Sequence, residues 1–422
     1  MTALRIELRR GPGLWALPIL VAVGAFAARG GMRTPAVWSY ATGGVAGAGM
    51  LMAPIAAGLA AWAGSRAGRR GVRHVMVLAA REPLIGPVIE CLAIAVCVLF
   101  AYVLTAIAVF VQTALAATWG GPSWLWLAAA GSGLLAVTTL GYVTGFLVPK
   151  RLTPFFAAIL TYLLLAWNLA QDGRWWHFLF PATAQLWLPF NTLRGATLWG
   201  QLAWLTGLTV LPLAVLALRL RSGVRAIASL VAVAVAGLGL GAGLLIGGDG
   251  RFADFNRALV WQCSGTEPEV CIHPAFAASL PDIRGRADAA ADRLRRTPFA
   301  IHRVEQRPRG VGGQPGPGAV AYALDAPAKD DYDRAATDIA TGALGVDPAC
   351  VGRDSEPKAG LVMAQLLVAW AADSGSAFVP INPDERQALA WFRGLPLTEQ
   401  QEWVTAHAPA MRTCSLVPGD FR

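Results

Sequence analysis

The chain has 422 residues, of which 55% are hydrophobic and only 14% are charged, whereas a soluble domain carries about 25% charged residues. This composition excludes an ordinary water-soluble enzyme. Charge is also divided unevenly, with 17 basic and 4 acidic residues before Gly247 and 18 basic and 22 acidic residues from there on. The division predicts a membrane half, residues 1–246, and a soluble half, residues 247–422. It argues against nucleic-acid binding, because the basic residues lie between apolar runs.

Seven apolar stretches in the first half predict membrane-spanning helices, because such a helix needs about 20 mostly apolar residues. We therefore expect a mainly α, polytopic α-helical membrane protein of about seven spans. The first stretch is similar to the core of a signal peptide, but no convincing small-residue cleavage site follows it, so we interpret it as an anchor. The stretches are 12–28, 38–62, 84–115, 124–148, 154–170, 198–218 and 226–246.

Lys and Arg in the short connections predict the orientation, since cytoplasmic loops carry an excess of positive charge. If the N-terminus is cytoplasmic, the inner segments hold 13 basic residues and the outer segments hold 4. We therefore predict a multi-pass protein of the cell membrane, with the N-terminus in the cytoplasm and residues 247–422 as an extracellular domain. The inner residues are Arg5, Arg9, Arg10, Arg66, Arg69, Arg70, Arg73, Arg81, Lys150, Arg151, Arg219, Arg221 and Arg225, and the outer ones are Arg29, Arg33, Arg174 and Arg194.

The inner connection between the second and third stretches predicts a short amphipathic helix. Over residues 68–80, apolar side chains collect on one side, while Arg69, Arg70, Arg73 and His74 lie mostly on another. One interpretation is an anchor that lies on anionic lipid. The other is a helix that docks on a partner protein.

The outer connection between the fifth and sixth stretches is too apolar for a loop in water. Pro181 and Pro189 divide it into pieces too short to cross. We expect residues 175–190 to dip into the outer leaflet and return as a re-entrant hairpin, with the backbone buried against protein. The alternative is an aromatic belt at the membrane interface. The candidate gate residues of the hairpin are Trp175, Trp176, Phe178, Phe180, Trp187 and Phe190.

Over roughly residues 1–220 this layout resembles the exporter-type permease subunits of bacterial ATP-binding-cassette transporters. In that family an elbow helix precedes six spans, an amphipathic coupling helix lies between spans two and three, and a re-entrant pair lies between spans five and six. The matching segments here are 1–10, 68–81 and 175–190, with the run W-A-G-x-R-x-G-R-R-G starting at Trp62. The seventh span and the C-terminal domain depart from the simple members of the family.

The resemblance implies a membrane subunit of an export system that works in the lipid bilayer with a separate ATP-binding-cassette ATPase and with a second permease, as a dimer or hetero-oligomer. The chain has no G-x-x-x-x-G-K-[S/T] motif and no hydrolase signature, so neither enzymatic activity nor a cofactor is expected. The alternative is a non-transporting anchor or sensor whose C-terminal domain binds a ligand or a protein. The residues expected to couple to the ATPase are Arg66, Arg69, Arg70, Arg73, His74, Arg81 and Glu82.

The third stretch contains three notable side chains, Glu90, Cys91 and Cys97. A carboxylate within a membrane is costly and usually faces a cavity or a cationic partner. Because Glu90 is only about two turns into the span, its side chain could instead extend to the inner interface. The two cysteines are most simply small apolar packing residues.

The other four cysteines all follow residue 247, which predicts two disulfides in an oxidising compartment. The preferred pairing joins Cys263 to Cys271 and Cys350 to Cys414. The alternative is a metal site formed by Cys263, Cys271 and His273, although this spacing matches no common zinc pattern. Without a metal, His273 is expected to be a hydrogen-bonded structural residue.

The remaining pattern of the second half predicts an α-rich α+β domain. Helices are expected near 280–294, 330–344, 356–374 and 383–408, the last with a break at 394–396. Two strands are expected, from Phe299 and from Ala319, on either side of a Pro- and Gly-rich loop at 307–318.

Overall fold

The structure is a computed structural model of the chain. It divides into two compact units, Met1–Arg257 and Ala258–Arg422, and each is described by itself. The residues that the structure describes are 2–69, 83–170, 175–180, 187–249, 251–256, 260–308, 318–345, 359–373, 383–413 and 415–421.

The first unit is almost entirely helical. Its described residues begin with a short amphipathic helix, continue through apolar helices, and include a 3-10 turn, Trp175–Leu179, between the seventh and eighth helices. The helices are α1 (Thr2–Arg10), α2 (Pro12–Gly30), α3 (Trp38–Gly47), α4 (Gly49–Arg69), α5 (Ile85–Ala116), α6 (Trp124–Leu147), α7 (Thr153–Leu169), α8 (Gly195–Arg219) and α9 (Val224–Gly247).

Six helices of the described residues are long and apolar enough to cross a membrane, with α3 and α4 counted as one helix over Trp38–Arg66. The seventh predicted span, α7, is apolar but has only 17 residues, at the lower end of the range of about 17 to 25 for a spanning helix. The described residues therefore fit a mainly α, polytopic protein, with six full-length apolar helices and one shorter apolar helix, α7, in the first unit. Helix α5 has 32 residues and is about 48 Å long at 1.5 Å per residue, so as a membrane span it would tilt or extend beyond the bilayer.

Helices α4 and α6 approach each other closely because glycines face backbone atoms across their interface. A Cβ atom at Gly145 would overlap the carbonyl oxygen of Ala61, and one at Gly141 would overlap that of Ala57. Gly64 makes the reciprocal approach from α4 to α6. Small residues allow this packing between membrane helices, where apolar burial alone gives little preference for one partner.

A small antiparallel ribbon extends the first unit beyond α9. Strand β1 (Asn191–Leu193) precedes α8 and pairs with β2 (Ala253–Phe255). The guanidinium of Arg194 donates to the Asp254 carboxylate at 2.6 Å and to the Gly248 carbonyl at 2.9 Å. These contacts hold the residues after α9 against the start of α8, which is why the first unit ends near residue 257 and not at the predicted 246.

The second unit contains a four-stranded sheet in the order β3 (Gln262–Ser264), β4 (Glu269–Ile272), β5 (Arg303–Gln306) and β6 (Ala319–Tyr322). The β3–β4 pair is an antiparallel hairpin, and the β4–β5 and β5–β6 pairs are parallel. The predicted strands near Phe299 and Ala319 are confirmed as β5 and β6. The hairpin was not predicted, because its strands are only three and four residues long.

Five helices of the described residues complete the second unit, and their order confirms an α-rich α+β domain. Helix α11 packs against α10 and β6, and its backbone ends at Gly345 with a φ of 62°, a conformation that favours glycine. The predicted break in the last helix separates α13 from α14. The helices are α10 (Leu280–Leu294), α11 (Lys329–Leu344), α12 (Ala359–Ala371), α13 (Pro383–Gly394) and α14 (Leu397–Arg412).

Candidate functional site

A charged cluster lies at the end of the first unit where α4 and α6 finish and α5 begins, which we call the basic end. The Arg66 guanidinium is 2.5 Å from one carboxylate oxygen of Glu90, and the Tyr142 hydroxyl donates to the other at 2.9 Å. Arg66 also lies 3.5 Å from the Glu7 carboxylate. The cluster therefore joins α1, α4, α5 and α6 through polar side chains.

The surroundings of Glu90 explain how a carboxylate is tolerated within an apolar helix. The side chains of Glu90 and Arg66 are only 17% and 21% exposed, and Tyr142 is 1% exposed. The cavity beside the pair has a volume of about 10 Å³, room for about one water molecule. Of the arrangements considered from the sequence, the structure shows pairing of Glu90 with a cation.

Two of the residues expected to couple to an ATPase are described, and both contact their own unit. Arg66 belongs to the charged cluster, while the Arg69 guanidinium lies 5.9 Å from the Trp62 ring centroid and donates to the Trp62 carbonyl at 3.2 Å. Glu7 and Tyr142 were not singled out from the sequence. The other residues expected to couple, Arg70, Arg73, His74, Arg81 and Glu82, lie outside the described residues.

The opposite end of α6 carries an aromatic cluster built on the 3-10 turn Trp175–Leu179, and we call it the aromatic end. Phe178 is 2% exposed and stacks on Phe252 at 6.1 Å, while Trp126 of α6 meets Phe252 at 4.8 Å. The Trp204 indole of α8 donates to the Leu179 carbonyl at 2.9 Å. These contacts fix the turn against the ends of the apolar helices.

The rest of the predicted hairpin packs in the same way where it is described. Phe190 is buried, Trp187 lies 6.3 Å from Trp126, and Phe180 lies 5.8 Å from Trp167. Trp176 is partly exposed. The described part is therefore packed against helices, while a re-entrant position in a bilayer stays a prediction. The side chain of Trp175 and residues 181–186 lie outside the described residues.

His177 fixes the start of the aromatic segment and was missed by the sequence reasoning. Its ring Nδ1 lies 3.1 Å from the Asn168 carbonyl, and the Asn168 amide donates to the His177 carbonyl at 3.3 Å. Both residues are 1% exposed. This reciprocal contact ties the end of α7 to the 3-10 turn. The only sequence signal for this contact was a polar residue, Asn168, near the end of the apolar stretch 154–170.

In the second unit, Cys263 and Cys271 form a disulfide across the β3–β4 hairpin, as the preferred pairing predicted. The metal alternative is excluded for this pair, because both sulfur atoms are bonded to each other and cannot act as thiolate ligands. Cys350 and Cys414 lie outside the described residues, so their pairing stays a prediction.

His273 is a buried structural residue that begins the 3-10 turn after β4. Its Nδ1 accepts a hydrogen bond from the Ala275 amide at 3.1 Å, and its own amide donates to the Gln306 side chain at 2.8 Å. Burial lowers the pKa of the His273 imidazole to about 4, so the ring is neutral at pH 7. The expectation of a hydrogen-bonded structural histidine agrees with this geometry.

Acidification is expected to destabilise the region around His273. The unfolded imidazole has a pKa of about 6.5 and binds a proton before the folded one does, so the stabilisation present above pH 6.5 is lost as pH falls toward 4. At pH 4.5 this loss is roughly 2.5 kcal/mol. Hydrogen exchange of residues 270–294 in the whole chain measures it. The variant His273→Asn keeps an acceptor without a titrating ring and should lose less. Equal losses in both proteins would contradict the assignment.

Comparison with known proteins gives one match. A family model described as a domain of unknown function, DUF7224, matches residues 270–414. The match begins within β4 and ends beyond α14, so it covers most of the second unit and none of the six full-length apolar helices. No curated protein and no solved structure matches the chain.

Proposed function

We propose that the chain is the membrane-spanning subunit of an ATP-binding-cassette export system and works with a separate ATPase subunit. The observation that carries the proposal is the contact from Glu7 through Arg66 to Glu90. It joins the short N-terminal helix to the two helix ends that border residues 70–82, which is the arrangement expected of an elbow helix beside a coupling segment. Two membrane subunits form such a system, so a second permease or a second copy of this chain belongs to the proposal.

In this function, residues 70–82 receive the movement of the ATPase. Arg66 precedes this segment, Glu90 follows it, and their ion pair holds both flanking helices together. A displacement of the segment would therefore reach α4 and α5 together through this ion pair, and α6 through the hydrogen bond from Tyr142 to Glu90. The aromatic end lies at the other end of α6, where a packed apolar turn is suited to closing an export route.

A second function is favoured by a different observation, the family match confined to the second unit. If that unit carries the activity, the helices serve as an anchor and the chain is a non-transporting sensor of a ligand or protein. The two functions differ in whether residues 70–82 bind an ATPase.

The proposed orientation places the N-terminus in the cytoplasm and the second unit outside. The basis is the excess of 13 inner over 4 outer basic residues together with a disulfide in the second unit. A reporter that is active only outside the cytoplasm, fused after Arg422, is expected to be active, and the same reporter fused after Pro149 is expected to be inactive. The reverse pattern would overturn the orientation.

Charge reversal in the coupling segment is expected to release the ATPase. The triple variant Arg69→Glu, Arg70→Glu and Arg73→Glu should reduce ATPase recovery with the purified chain at least tenfold, because like charges across an interface cost several kcal/mol. The matched control reverses Arg219, Arg221 and Arg225, which belong to another connection predicted on the same side. Correct insertion is verified with the reporter. A triple variant that inserts correctly and retains its partner would favour the anchor or sensor.

A further inference from the structure

A basic cleft lies at the basic end, next to the charged cluster, with which it shares Arg66. Its volume is about 650 Å³, within the range of roughly 300 to 1,000 Å³ typical of small-molecule sites. One wall comes from the last turns of α4 and the other from the turn between α6 and α7. The lining residues are Trp62, Arg66, Arg69, Pro149, Lys150 and Arg151.

Backbone contacts hold the two walls in place. Gly68 of α4 packs so closely on Pro149 that a Cβ atom there would overlap the proline ring. The opposite turn is fixed by the Thr153 hydroxyl, which donates to the Val148 carbonyl at 2.7 Å, and by the Lys150 amide, which donates to the same carbonyl at 2.8 Å. The backbone of both walls is therefore positioned by the fold, before any ligand binds.

The charge of this cleft is not neutralised within the described residues. There, no carboxylate forms an ion pair with Arg69, Lys150 or Arg151, whereas Arg66 is already paired with Glu90 and Glu7. A concave surface lined by one sign of charge concentrates the field and attracts counter-ions. Arg and Lys side chains bind phosphate oxygens strongly. The chemistry of the cleft is that of a site for a phosphate-bearing anion.

The surface next to the cleft is apolar and exposed. Leu152, Phe155 and Phe156, at and after the same turn, are 63%, 61% and 61% exposed, and Trp62 is 40% exposed. Exposed apolar helix surface suits acyl chains in a multi-pass membrane protein, and tryptophan is enriched at the headgroup level. The ligand that fits this juxtaposition is amphipathic, with an anionic head and apolar tails.

We propose that the cleft binds the headgroup of an anionic phospholipid, with its acyl chains along the exposed face of α7. Arg69 approaches the phosphate from one wall, and Lys150 and Arg151 approach it from the other. The proposal needs the membrane but not the ATPase, so it holds under either function given above. A membrane-side basic pocket between helices is a general solution for such lipids.

The test uses the whole chain, purified in an uncharged detergent and titrated with phosphatidylglycerol, with phosphatidylcholine and with inorganic phosphate. Native mass spectrometry counts the bound molecules and gives the affinities. The variant Lys150→Gln with Arg151→Gln removes one wall, and Arg69→Gln tests the other wall independently. The matched control, Arg219→Gln with Arg225→Gln, removes two exposed charges outside the cleft. Size-exclusion profiles establish that each variant is folded.

We expect one phosphatidylglycerol to bind the wild type at least tenfold more tightly than phosphatidylcholine. The wall variants should lose at least tenfold of that affinity, while the control should stay within about twofold of wild type, since only cleft residues contact the headgroup. Equal losses in the wall variants and the control would overturn the proposal, because they would indicate general surface charge. Inorganic phosphate binding as tightly as the lipid would overturn the lipid assignment. So would wall variants that bind lipid normally but release an ATPase.

Discussion

Replacing Glu90 by alanine is expected to destabilise the first unit by roughly 3 kcal/mol, at the lower end of the range for breaking a buried ion pair. The change leaves the largely buried Arg66 guanidinium without its nearest carboxylate and removes the acceptor of the Tyr142 hydroxyl. Arg66 keeps its longer contact with Glu7, which limits the loss. Unfolding of the chain by SDS in mixed micelles measures the free energy.

The matched control for Glu90 removes both charges together. The double variant Glu90→Gln with Arg66→Gln retains side chains of similar size and hydrogen-bonding groups, so it should recover most of the stability that Glu90→Ala loses. The single variant Arg66→Gln should be intermediate, because Glu90 then keeps only the Tyr142 hydrogen bond. If the double variant is as unstable as Glu90→Ala, Glu90 does not stabilise the unit by neutralising the charge of Arg66.

Replacing Gly145 by valine is expected to separate α4 from α6 and to cost about 3 kcal/mol or more, the upper end for inserting a larger side chain into a packed interface. A side chain here overlaps a backbone atom, the Ala61 carbonyl, which cannot rotate away as a flexible side chain could. Tyr142 is three residues before Gly145 on α6, so moving α6 away from α4 would also weaken the hydrogen bond from Tyr142 to Glu90. SDS unfolding of the purified variant measures the loss.

Gly239 of α9 provides the control for Gly145, because no atom lies within 4 Å of a Cβ atom built at that position. Gly239→Val should therefore change the free energy of unfolding by less than about 1 kcal/mol, the cost or gain of helix propensity alone. If both valine variants are equally stable, the close approach of α4 and α6 does not determine the packing of the first unit.

Helix positions could be predicted from the sequence because the length of an apolar run and the prolines at its ends specify them locally. The stretch predicted at 124–148 is observed as Trp124–Leu147, bounded by Pro122 and Pro149. The Cys263–Cys271 disulfide followed from an even number of cysteines after residue 247 and from their short separation. These inferences depend on residues that are close together in the sequence, so one sequence is enough to make them.

The charged cluster and the basic cleft could not be predicted, because they depend on how distant helices pack. Tyr142 is one aromatic residue in an apolar stretch, and its carboxylate partner is 52 positions away. Lys150 and Arg151 were assigned to the inner side by charge counting, which says nothing about whether they converge with Arg69 on one cleft. That convergence follows from the approach of Gly68 to Pro149.

The most direct measurement of the central claim is photo-crosslinking of the coupling segment in native membranes. A photo-reactive phenylalanine derivative is introduced at Val75, within residues 70–82, or at Leu160, which is 59% exposed on the apolar helix α7 and serves as the control. The account predicts that Val75 crosslinks to a protein containing a G-x-x-x-x-G-K-[S/T] motif, whereas Leu160 crosslinks to lipid. Lipid adducts alone at Val75, in a correctly inserted chain, would contradict the claim that this chain is driven by an ATPase.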